Sequence, residues 1–142
     1  PHTGPGQTAD FVCSDWARQI VLIEKNKIPA VIKVGNLALR RDYSDVRDVV
    51  RAYDILMKRG RRGEVYNVCS GQVPSLKKIL RTLLSFSPRK IEVQVDPAKL
   101  RKTDIPYLAG SNRKIKVRTG WEPLIPLEKT LQDLLEYWRN NV

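Results

Sequence analysis

Along this chain, helical stripes of apolar residues alternate with single short extended runs, and that alternation bounds the possible folds more tightly than any other feature. Val12, Trp16, Ile20 and Ile23 recur at helical spacing across residues 10–24. Residues 45–59 give the cleanest helix. Asp45 suits its N-cap, and Val46, Val49, Val50, Tyr53, Leu56 and Met57 mark one apolar face. Lys58 and Arg59 fall in its last turn, and Gly60 is expected to take the left-handed position after it. Ser75 is expected to cap a third helix through Phe86, with Leu76, Ile79, Leu80, Leu83 and Leu84 inward. Pro126 suits the first turn of a last helix, whose stripe is Leu127, Leu131, Leu134, Leu135 and Trp138.

Between these helices, residues 30–34, 64–69 and 90–95 read as strands, the last alternating Lys-Ile-Glu-Val-Gln-Val with one wet face. Residues 96–111 read as irregular, and a short helix or turn is expected near residues 112–117. The pattern predicts an α/β fold. It supplies too few strands for a complete doubly wound sheet, so one or two of them are expected to need a sheet beyond this chain.

At 142 residues, with 42% hydrophobic and 29% charged residues, the chain can bury a real core and is not of disordered composition. No apolar run approaches the roughly 20 residues of a membrane span. The opening Pro1-His2-Thr3-Gly4-Pro5-Gly6-Gln7 lacks an initiator Met and a signal-peptide pattern, and it reads as a cut in a longer protein. The net charge of +11 favours a polyanionic partner or a phosphate-bearing ligand. Most of the cations fall at helix ends or on polar faces, where they read as solvated surface. Cys13 and Cys69 are expected to be buried reduced thiols, which suits a cytoplasmic protein, and His2 cannot complete a metal site with them.

The residues on their own exclude several chemistries. Gly4-Pro5-Gly6 lacks the third glycine and the preceding strand of a dinucleotide fingerprint. One histidine beside the amino terminus supports no nucleophile–base arrangement. Asp42 and Asp45 lie on a strand-to-helix turn where capping is the expected job. Arg41 sits on a loop at a strand end, the place where open α/β folds bind ligands. Arg101 sits in a proline-flanked loop with Asp104 three residues on. Two arginines converging from separate loops suit a diphosphate, because the guanidinium fork pairs with it bidentately.

Several strings together carry a family resemblance. They are His2-Thr3-Gly4-Pro5-Gly6-Gln7, Val34-Gly35-Asn36-Leu37, Arg41-Asp42-Tyr43 with Asp45-Val46-Arg47-Asp48-Val49-Val50, the stretch from Gly63 to Gly71, and Thr119-Gly120-Trp121-Glu122-Pro123. In order and across essentially the whole chain, they resemble the second half of the GDP-4-dehydro-6-deoxy-D-mannose reductases. That family belongs to the nucleotide-sugar group of the extended short-chain dehydrogenase/reductases.

The resemblance implies the carboxy-terminal, substrate-binding part of a Rossmann-type fold, mixing helices and short strands, with the amino-terminal Rossmann core absent. It implies one region over residues 1–142 that recognises a GDP-sugar. Arg41 and Arg101 would contact the diphosphate, Asn36 would border the nucleotide, and Asp104 would accept from the ribose. His2 and Gln7 would lie near the nicotinamide of NADP or NAD. In the whole enzyme the cofactor would pass hydride to the C4 ketone of GDP-4-dehydro-6-deoxy-D-mannose, giving GDP-D-rhamnose. The glycine fingerprint and the Tyr-x-x-x-Lys pair of this superfamily are not in this chain, so these 142 residues alone are expected to be inactive. A homodimer is expected for the full-length enzyme. The alternatives are a dehydratase or epimerase of the same superfamily, or a basic nucleic-acid-binding domain. Against the last, Phe11, Trp16, Tyr53 and Trp138 read as core residues and not as stacking platforms.

Overall fold

The computed structural model describes residues 1–100 and 103–142. Its elements follow the expected alternation. A two-residue strand β1 (His2–Thr3) leads through a glycine loop to α1 (Val12–Glu24), then β2 (Val31–Val34). Two further short strands, β3 (Arg40–Arg41) and β4 (Ser44–Asp45), run directly into α2 (Val46–Arg59). After a long irregular connection come α3 (Leu76–Ser85), β5 (Glu92–Val95), a single 3-10 turn (Pro97–Lys99) and β6 (Tyr107–Leu108). The chain closes with α4 (Arg113–Thr119) and α5 (Leu127–Asn141).

The strands form three separate parallel pairs, β1 with β4, β2 with β5 and β3 with β6. Each pair joins segments far apart in sequence, so each fixes one loop against another. Val34 sits opposite Val95, and Arg41 opposite Leu108.

Helices α1, α3 and α5 pack on one another and on β2. Trp16, Ile20, Ile23, Ile32, Leu80, Leu83, Leu134 and Leu135 are among the side chains that close this main core. The stripes read for these three helices are the faces that pack. A second, much smaller core joins α2 to α4, where Ala52, Ile115 and Trp121 are buried and Ile55, Leu56, Tyr66 and Val68 pack around them.

Here α2 departs from its stripe. Val49 is buried, but Val50, Tyr53 and Met57 are 59%, 58% and 89% exposed. The helix turns a narrower side inward, centred on Ala52, because its partner α4 is only seven residues long. Gly60 is not left-handed, having φ −65°. It is needed for closeness, since a Cβ there would lie 2.5 Å from the Leu56 carbonyl oxygen. Residues 64–69 form no strand and pair with none among the described residues. Side chains hold them instead, with Lys114 donating to the Val65 carbonyl and Asn112 to that of Cys69. β5 is wet on both faces, since all four of its side chains are exposed. Pro126 stands at the N-cap of α5, one residue before the first turn.

Candidate functional site

The segment Arg41-Asp42-Tyr43-Ser44-Asp45 followed by α2 is the organising strip of the molecule, and three buried aspartates on it explain why. Asp42 does not cap a helix. Its carboxylate accepts from the Ser70 amide at 2.8 Å, the Ser70 hydroxyl and the Gly71 amide at 2.9 Å, which latches the 70–71 turn. Asp45 does cap α2, accepting from Arg47 N at 2.8 Å, and also receives the Thr130 hydroxyl of α5 at 2.7 Å. Burial pulls the Asp45 carboxyl upward, but the hydrogen bonds from the Arg47 side chain, Thr130 and the Arg47 amide together leave it below its ordinary value. Asp48 accepts from the Leu124 and Ile125 amides at 2.9 Å each and pairs with Arg51 at 2.7 Å. Its backbone carbonyl accepts from the Trp121 indole at 3.0 Å. Each aspartate therefore binds a different distant segment to the strip.

That strip forms one wall of a cleft of about 1050 Å³. Beside it, the 1–12 loop pairs with the strip through β1 and β4, lines the same cleft, and is built onto the main core by a relay of hydrogen bonds. Trp138 of α5 donates to the Ser14 hydroxyl at 2.9 Å, and Ser14 donates to the Gln7 carbonyl at 2.7 Å. Gly4 lets the loop close on α2, since a Cβ there would lie 2.8 Å from Val46 Cγ1. The floor is the end of β2 together with the 3-10 turn. Lys99 donates to the Lys33 carbonyl at 3.0 Å, and Gly35 admits the Lys99 carbonyl to within 2.6 Å of where a Cβ would be.

Of the six residues singled out from sequence, Asn36, Arg41, Asp104, His2 and Gln7 line this cleft. Arg101 lies outside the described residues. Arg41 is half-buried; its guanidinium donates to the Arg40 carbonyl at 2.9 Å and makes no ion pair among the described residues. Asn36 uses its side-chain oxygen on the Ala38 amide at 3.0 Å, a turn that shapes the end of β2. Gln7 uses both ends of its amide inside the loop, accepting from Thr3 at 2.7 Å and donating to the His2 carbonyl at 3.2 Å.

Sequence reasoning missed Lys33, Lys99, Asp15 and Phe11, which also line the cleft. Lys99 had a signal, because Asp96-Pro97 opens a capped turn, with Asp96 accepting from Ala98 N at 2.9 Å. Phe11 and Tyr53, read as core, are exposed; Trp16 is buried as expected.

Cys13 is buried against this wall, and burial pushes its thiol up to about 12. It supplies no thiolate near neutral pH. Burial raises the Tyr43 hydroxyl as well, and the neighbouring Cys13 adds to that. Both cysteines are free and buried, as expected of reduced thiols. No helix of the described residues is long and apolar enough to cross a membrane.

Parallel-paired α/β segments around such a cleft are the architecture of the extended short-chain dehydrogenase/reductases. The chain matches the structure of RMD from Pseudomonas aeruginosa complexed with NADPH, with a TM-score of 0.93 and 33% identity over 99% of this chain and 46% of that one. It matches the UDP-glucose 4-epimerase of Thermotoga maritima with UDP-glucose at a TM-score of 0.80 and 26% identity, over 99% of this chain and 44% of that one. The chain belongs to the GDP-mannose 4,6 dehydratase family, whose profile matches residues 1–134. Within the curated proteins it is 35% identical to the GDP-6-deoxy-D-mannose reductase of Pseudomonas aeruginosa over 99% of its own length and 46% of the relative's. The chain thus spans about half the length of the relatives it matches.

Proposed function

We propose that this chain is the carboxy-terminal, GDP-sugar-binding part of a nicotinamide-dependent reductase. In this reading the whole enzyme reduces the C4 ketone of GDP-4-dehydro-6-deoxy-D-mannose to GDP-D-rhamnose. The observation that carries it is convergence. Five residues chosen from four separate sequence segments line one cleft, in a chain 35% identical to a GDP-6-deoxy-D-mannose reductase.

The roles follow from chemistry. Arg41 has a forked guanidinium with no carboxylate partner among the described residues, so it is available to a diphosphate. Arg101, which lies outside the described residues, is proposed as the second arginine on that diphosphate. Asp104, on the same cleft, accepts from ribose hydroxyls. Asn36 shapes the β2 end that borders the nucleotide. His2 and Gln7 hold the loop beside the nicotinamide of NADP or NAD, and Gln7 does so through its bonds within the loop. The cofactor supplies the hydride and is held mainly by residues outside this segment. This chain's contribution is to orient the ketone, and orientation of this kind is worth several kcal/mol of barrier. Binding of a homodimer partner and a cytoplasmic setting belong to the same reading.

A dehydratase acting on GDP-mannose is the second reading, favoured by the description of the matching family. Titrating the chain with GDP-mannose and with UDP-glucose tests what the two readings share. GDP-mannose is expected to bind the more tightly, and equal affinity would remove the guanine nucleotide from the account. Incubation of the same preparation with NADPH and a GDP-4-keto sugar is expected to give no oxidation of NADPH. Turnover by a preparation whose mass shows only this chain would contradict the division of labour.

A further inference from the structure

Large apolar side chains standing in solvent need a reason, and most of those here lie away from the cleft, including Val50, Tyr53 and Met57 on α2 and Val117 on α4. Phe11 is different. It is 57% exposed, and among the described residues it alone of the exposed large apolar side chains lines the cleft. Its position is fixed, because Phe11 occupies the N-cap of α1 with φ −105° and ψ 137°, and its carbonyl accepts the Asp15 amide at 2.8 Å. The helix behind it is anchored in the main core through Trp16 and Ile20. The cap itself makes no side-chain hydrogen bond, so Phe11 contributes nothing to helix capping that Ser or Asp would not do better. An exposed aromatic ring on an anchored stretch of backbone thus lines a cleft that also holds Arg41, Lys33 and Lys99.

Resting on the nucleotide reading above, we infer that the Phe11 ring is the stacking platform for the nucleobase of the ligand whose diphosphate Arg41 pairs with. The other Tyr and Trp rings lining the cleft, Trp16 and Tyr43, are buried or partly buried, so Phe11 is the ring that offers a base an exposed face. Every base has a π-face, and stacking on an aromatic side chain is worth about 1–3 kcal/mol by alanine substitution. The platform also explains why an exposed phenylalanine is present at a cap position that disfavours it. The exposure of the ring means that substitution removes no core packing.

The test is GDP binding by the chain and by Phe11→Leu, Phe11→Trp and Arg41→Ala, followed by calorimetry and by the ultraviolet absorbance of the guanine. Phe11→Leu keeps an apolar side chain and loses the ring. It is expected to weaken GDP about 5- to 150-fold, the stacking range converted to affinity. It is also expected to abolish the loss of guanine absorbance that accompanies stacking, and Phe11→Trp is expected to retain both. If Phe11→Leu binds GDP like the unaltered chain while Arg41→Ala does not, the platform is wrong and the nucleotide reading stands. Weakened binding with the absorbance change intact shows that Phe11 only positions the loop, and it overturns stacking. Failure of the unaltered chain to bind GDP overturns the nucleotide reading and the platform together.

Discussion

The two cores of this molecule are held together by different means. The main core, between α1, α3, α5 and β2, is broad and apolar, and its helices bury continuous stripes. The α2–α4 core buries only Ala52, Ile115 and Trp121 completely. What it lacks in apolar area it replaces with hydrogen bonds to buried carboxylates and carbonyls, chiefly those of Asp48. Burying a charge is unfavourable unless its partners are complete, so Asp48 is tolerated only because two amides and Arg51 satisfy it. The difference teaches that the first core tolerates apolar exchange, whereas the second depends on single polar atoms.

Substitutions can break that comparison. Leu134 is fully buried in the main core, and Leu134→Ala is expected to cost about 2–5 kcal/mol through lost transfer energy and a cavity. Chemical denaturation would read it, and a cost under about 1 kcal/mol would mean that the core is loosely packed. Asp48→Ala strands the Leu124 and Ile125 amides and the Arg51 charge, for an expected cost of about 3 kcal/mol. Asp48→Asn keeps the shape and one acceptor, and should recover part of this. Equal loss in both variants would show that charge matters more than the two amides. Val50→Asp sharpens the contrast from the other side. The apolar stripe read from sequence makes this change costly, but Val50 is exposed, so the expected effect is within about 0.5 kcal/mol. A large loss of melting temperature would show that α2 buries that side against something.

How much of this was legible follows the same division. The helices of the main core declared themselves because each buries a broad stripe, and a broad stripe leaves a period in the sequence. The stripe of α2 misled, because Val50, Tyr53 and Met57 repeat at helical spacing without being covered. Residues 64–69 looked like a strand because an apolar run reads the same whether a ladder or side chains hold it. The jobs of Asp42 and Asp48 were out of reach, since their partners lie 28 to 77 positions away in the chain. In the cleft, the strand-end location of Arg41 was readable from its place between a strand and a capped helix. Phe11 was not, because the apolar spacing that assigned it to the core says nothing about which side of a helix start faces the cleft.

In the proposed function the cleft grips a diphosphate through Arg41 in particular and not through the basic character of the chain. GDP titration by calorimetry at low and moderate salt, for Arg41→Ala beside Arg62→Ala, tests it most directly. Arg62 is exposed and lies outside the cleft, so its loss is expected to leave affinity nearly unchanged. Loss of Arg41 is expected to weaken GDP by about 1.5–3 kcal/mol, the scale of a hydrogen bond to a charged group. Equal weakening by the two substitutions, fading together as salt rises, would contradict the clamp and leave general electrostatic attraction as the source of the affinity.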